Sequence, residues 1–196
     1  MSEDRKMTLR ESILWDVHVS IRYHRRRRAF FEGFDRVTKA VGVLGGSAAI
    51  TTLLGNGKTP TVIASAIVVV ISTIDLVIGT GQAATRHRDL ERRYLELEEE
   101  IIEAGEERFQ FEKFSKKQVE IEKEEPWVLR NLAALCYNEE LLRTDGASEK
   151  SHLQLKWYQR WFAHIIDIKP DLIELPDKQD DARGLARRQS NLPKFP

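Results

Sequence analysis

Cysteine is nearly absent from this 196-residue chain: Cys136 stands alone, so no intramolecular disulfide can staple the fold. That favours an intracellular setting. No Cys/His set is spaced to hold zinc, and no metal is expected. Net charge is also absent, because 31 Lys and Arg balance 31 Asp and Glu. No whole-molecule field therefore draws the chain to nucleic acid or to an anionic surface. The length allows one ordinary domain, or a compact domain with a tail, and excludes a large multidomain enzyme. Catalytic signatures are missing too. There is no phosphate-cradling P-loop, no dinucleotide glycine fingerprint and no nucleophile elbow, and His18, His24, His87, His152 and His164 are scattered. The expectation is a protein without catalytic residues or cofactor.

The most informative absence is local. Residues 1–39 carry ten basic and six acidic side chains, and residues 86–125 carry nine and fourteen, whereas residues 40–85 carry only Lys58 and Asp75. The turn formers Gly55-Asn56-Gly57-Lys58-Thr59-Pro60 divide this gap into two arms. The arms, residues 37–54 and 61–84, would span about 27 and 36 Å as helices, against a hydrocarbon core of about 30 Å. The pattern predicts an all-α protein, a two-transmembrane helical hairpin with extended cytoplasmic helices. Phe30, Phe31 and Phe34 precede the shorter arm as interfacial aromatics. A soluble alternative buries the hairpin inside a helical domain, which demands much amphipathic helix to cover arms that are apolar nearly all round.

Lys and Arg are retained on the cytoplasmic side of a span. Arg22, Arg25, Arg26, Arg27, Arg28, Arg36 and Lys39 precede the first arm, Arg86, Arg88, Arg92 and Arg93 follow the second, and the turn has only Lys58. Both termini are therefore expected in the cytoplasm, with the hairpin in the inner membrane. Arg22, Arg25, Arg26, Arg27 and Arg28 form a juxtamembrane cluster suited to anionic headgroups. No groove-reading motif accompanies them, so membrane lipid and not nucleic acid is the expected partner.

Along one face of the second arm lie Thr61, Ser65, Val68, Ser72, Asp75, Gly79 and Gln82. A carboxylate in hydrocarbon is costly unless it meets protein or water. Ser65, Ser72, Asp75 and Gln82 would accordingly line an aqueous lumen. Alternatively Asp75 is protonated or hydrogen-bonded to Ser72 or to a hydroxyl of the first arm, and specifies only packing. In that first arm Gly42, Gly45, Gly46 and Ala49 let helix backbones approach closely, with the other arm or another copy as partner. Two spans cannot enclose a channel, so a pore requires a homo-oligomer.

The outer segments read as helices. Thr8-x-x-Glu11 has the form of a capping box opening an amphipathic, basic helix over residues 1–36. Residues 86–125 continue the second arm, with Leu90, Tyr94, Leu97, Ile101, Ala104 and Phe111 on one stripe, and Gly105 marks a break. Pro126 suits the first turn of a helix carrying Trp127, Leu132, Leu135 and Cys136. A further helix over 151–168 places Leu153, Trp157, Trp161 and Ile165 on a stripe read as buried, the alternative being a Trp-bearing helix on the bilayer surface. From residue 169 on, four prolines and many charges predict an extended or disordered tail.

The series SIRYHRRRRAFFE, then a hairpin containing GGSAA and IDLVIG, then ATRHRDLERRYLELEEEI resembles the SLATT family of bacterial two-transmembrane effector domains over residues 10–105. The resemblance implies an oligomeric membrane effector that forms pores or depolarises the membrane in anti-phage or nucleotide-signalled conflict systems, downstream of a nucleotide-signalling protein. It brings no catalytic residues. The alternatives are a non-conducting membrane anchor whose cytoplasmic helices recruit a partner, and a soluble phosphate-binding protein using the arginine run.

Overall fold

A computed structural model of the chain describes residues 8–54, 59–145 and 153–169. The turn at 55–58, Gly146, His152 and the proline-rich tail lie outside the described residues, as do the side chains of Gly46, Ala49 and Ser65. Among the described residues the elements are α-helices: α1 (Leu9–Leu54), α2 (Thr59–Ile78), α3 (Thr80–Arg108), α4 (Phe111–Glu122), α5 (Arg130–Asp145) and α6 (Trp157–Phe162). The fold is all-α. Its contacts divide into two compact units, residues 25–89 and the residues on either side of that stretch.

Helix α1 starts where the capping box places it. The Thr8 N–H donates to Glu11 Oε2 at 2.7 Å and the Glu11 N–H to Thr8 Oγ1 at 3.2 Å, satisfying donors that a helix start leaves unpaired. No proline follows before Leu54, and the glycines do not interrupt the ladder, so the basic helix and the first arm are one helix of 46 residues.

In the outer unit α1 sits between two layers. Its Ile13, Val17 and Ile21 pack with Leu90, Tyr94, Leu97 and Ile101 of α3 and with Phe114 and Ile121 of α4. Its Tyr23 and Val19 meet Leu132 and Cys136 of α5 and Ala163 beyond α6. The α3 stripe is the one read from the sequence as far as Ala104. Phe111 departs from it and is exposed, because Gly105 takes φ 59°, ψ −170° inside α3, a conformation open to glycine and costly for other residues. Phe109 and Phe114 stack instead, at 5.4 Å, against the core.

Helix α5 begins at Arg130 rather than at Pro126. The side chain of Asp167 caps it, accepting from the N–H groups of Arg130 (2.8 Å) and Asn131 (3.0 Å), and the Leu129 N–H donates to the Tyr23 hydroxyl at 3.0 Å. The stripe expected over 151–168 is likewise corrected. Among its described residues only Trp157–Phe162 is helical, with Gln159 and Ala163 turned inward and Trp157 and Trp161 exposed, while Leu153 is buried. Trp127 is exposed as well.

The unit of residues 25–89 contains the C-terminal part of α1, all of α2 and the start of α3. Its helices run antiparallel, as shown by Phe31 stacked on His87 at 5.7 Å, Glu32 bonded to Arg88 at 2.7 Å, Asp35 Oδ1 3.6 Å from where a Cβ on Gly81 would stand, and Gly45 against Val68. The second arm is not one helix to Ala84. Gly79, at φ 64°, separates α2 from α3, yet its N–H still donates to Asp75 O at 2.8 Å and its carbonyl accepts from Ala83 at 2.9 Å. Gly79 therefore keeps both of its own backbone groups paired across the break.

Candidate membrane-facing helix and its polar groups

Within α2 the outward surface is aliphatic. Ile63, Ile67, Val69, Val70, Ile74, Leu76, Val77 and Ile78 are all exposed, Leu76 and Val77 by 83% and 80%. Apolar exposure of this kind marks surfaces that meet a protein partner, a ligand or a membrane. Among the described residues one helical stretch, Ala66–Arg108 taken through Gly79, is long enough and in part apolar enough to cross a membrane. Its apolar window is almost entirely unburied, the reverse of a soluble core helix. Twenty residues in α2 give about 30 Å of length, matching a hydrocarbon core.

The small-residue motif of α1 resolves into different roles. A Cβ on Gly45 would collide with Val68 Cγ2, so this glycine is required for the approach of α1 to α2. Gly42 faces open space, with nothing within 4 Å of a Cβ placed there. The polar stripe also separates. Asp75 is half-buried and its Oδ1 accepts a short hydrogen bond from the buried Thr80 hydroxyl across the Gly79 turn. Ser72 and Gln82 are exposed. Thr80 was not identified in the sequence, because a bond from residue i+5 needs the break at Gly79 that a continuous helical reading omits.

At the polar end of this unit, Arg27 stacks over Phe31 at 4.4 Å from the ring centroid and over Phe30 at 5.8 Å. Glu32 gathers Arg88 at 2.7 Å, Arg36 at 3.7 Å and Arg28 at 3.8 Å. The Arg88 hydrogen bond is the main reason its carboxyl titrates below the usual range; partial desolvation opposes this, and the charges of Arg28, Arg88 and Arg36 reinforce it. Arg27 and Arg28 of the basic cluster are thus engaged within the unit, and Arg25 is its exposed member.

The outer unit holds polar groups between helices that no motif announced. Glu140, almost fully buried, accepts from Arg22 Nε at 2.8 Å and Arg143 Nε at 3.0 Å, and lies 3.0 Å from His18 Nδ1; His18 Nε2 is 2.8 Å from Glu98. Burial pushes the Glu140 carboxyl up, but the Arg22 and Arg143 hydrogen bonds and the charges of His18 and Arg143 outweigh it and hold it below the ordinary range. Arg22 is therefore committed to Glu140. Nearby in the same unit, Glu125 Oε1 accepts from Tyr94 Oη at 2.6 Å and lies 3.0 Å from His24 Nε2. Burial, with the charge of Glu125 next, pushes the Tyr94 hydroxyl up. Asp16 is raised from its ordinary 3.8 to about 7, first by burial and then by Glu122. Glu122 is raised by burial, which the Gln118 hydrogen bond opposes and Glu125 reinforces. The described residues contain no group of three His, Cys, Asp or Glu placed to hold a metal.

No protein-family model matches the chain, and no curated protein or solved structure is significantly similar to it.

Proposed function

We propose that the chain is an oligomeric membrane effector anchored by a two-span hairpin, the C-terminal part of α1 and α2, with both termini in the cytoplasm. The observation that carries this reading is the outward aliphatic face of α2, a helix of bilayer length whose large side chains find no cover in the protein. Gly45 allows the two arms to pack, and Gly42, opposite no neighbour in its own chain, suits close approach of a second copy. In this reading subunits assemble around the Ser72 and Gln82 side of the hairpin, and the effector depolarises the membrane in the conflict-system setting that the SLATT resemblance implies.

One observation favours the second reading, a non-conducting anchor. Asp75 has its partner in Thr80 of its own chain, which satisfies the carboxylate without a water-filled lumen. The two readings separate on membrane potential in cells expressing the chain. A conducting oligomer depolarises them, and D75N combined with S72L abolishes the effect while assembly persists. Depolarisation unchanged by that double variant removes Asp75 and Ser72 from any conduction path.

A further inference from the structure

The segment from Lys156 to Lys169 is inverted relative to water. Its amide side chain, Gln159, is fully buried, with Oε1 accepting from the Lys156 N–H at 2.8 Å and Nε2 donating to the carbonyls of Ile168 and Lys169 at 3.3 and 3.0 Å. Ala163, one turn on, is buried beside Tyr23 and Leu132. The opposite face of the same turn carries Trp157 and Trp161, spaced i, i+4 and exposed by 73% and 79%, followed by the exposed Ile165 and Ile166. A short helix that hides its amide and presents two indoles is shaped for a medium other than bulk water.

Charge identifies that medium. Lys156 and Arg160, also spaced i, i+4, are exposed beside the indoles, and Lys169 is exposed at the end of the segment. The sole acid between them, Asp167, has both carboxylate oxygens committed to the N-terminus of α5. Among the residues from Lys156 to Lys169 the exposed face is therefore cationic and aromatic, its one acid being turned to α5. Indoles prefer the headgroup level of a bilayer, where the ring is half in hydrocarbon and its N–H remains hydrated, and flanking cations favour anionic headgroups.

We propose that the α6 segment is a second, peripheral membrane contact, in which Trp157 and Trp161 insert at the level of anionic lipid headgroups and Lys156 and Arg160 pair with their phosphates. This rests on the chain residing at a membrane, and the failure of that reading shows separately, as release of the chain from washed membranes.

The test uses the full chain reconstituted into vesicles of phosphatidylcholine, with or without phosphatidylglycerol, whose acyl chains are brominated close to the headgroup to quench nearby indoles. Wild-type fluorescence should be quenched more in the anionic vesicles. W157F/W161F, which keeps Trp15 and Trp127 as internal references, should lose most of that quenching. K156Q/R160Q should retain only the level seen in neutral vesicles. Equal quenching of wild type and W157F/W161F would overturn the proposal. So would indoles that become shielded with rising protein concentration and are indifferent to bromolipid, since a second copy would then cover the face.

Discussion

Asp16 shows how a single side chain ties burial to pH. Its carboxyl is held at about 7 in the folded chain against an ordinary 3.8, so between those values the folded state binds a proton that the unfolded state has released. Stability contributed by the group is therefore greatest at low pH and declines as pH rises from about 4 through 7; the difference corresponds to at most about 4 kcal/mol. D16N should stabilise the protein more at pH 8 than at pH 5, as read from melting temperatures at the two values. A gain equal at both would show that Asp16 is not proton-coupled. Glu140 behaves oppositely, for its carboxyl is held low by Arg22 and Arg143 despite burial, and its contribution is present at neutral pH and lost on acidification. Each carboxylate meets at least one partner from a distant part of the chain, Glu122 for Asp16 and Arg22 for Glu140, and the sequence gives no sign of which acid meets an arginine and which meets another acid.

At the scale of elements, the Gly45 and Gly42 contrast makes the packing of α1 on α2 testable. G45V forces a methyl-bearing side chain into Val68 and should destabilise the hairpin by about 1–3 kcal/mol, whereas G42V meets nothing in its own chain and should leave the thermal stability of the monomer within about 0.5 kcal/mol. Comparable losses in the two variants, measured by thermal unfolding in detergent, would place the contact elsewhere. The elements themselves were largely legible. The capping box at Thr8 and Glu11 and the α3 stripe through Leu90, Tyr94, Leu97 and Ile101 follow from local spacing and reappear in the structure. What local spacing could not supply was long-range. Asp167 caps a helix that begins 37 residues earlier, which moves the start of α5 from Pro126 to Arg130. The inward turn of Gln159 and Ala163 reverses the face expected for Trp157 and Trp161. Gly79 is a third case, since its φ of 64° divides a hydrophobic run that periodicity treats as continuous and brings Thr80 to Asp75.

For the whole molecule, a charge-balanced chain leaves residues 40–85 with only Lys58 and Asp75 as charged side chains, and most of the large aliphatic side chains of α2 are exposed. Helices α1 and α3 are polar over their outer portions and enclose a core with α4 and α5, whereas the large aliphatic side chains of α2 stay exposed. That division is the physical basis for the membrane proposal, and conduction is a separate claim resting on Asp75 and Ser72. The most direct test is fractionation of cells expressing the full chain, with the membrane pellet washed in alkaline carbonate. A chain held by the hairpin stays in the pellet and leaves it only with detergent. Complete recovery in the soluble fraction would contradict that anchoring.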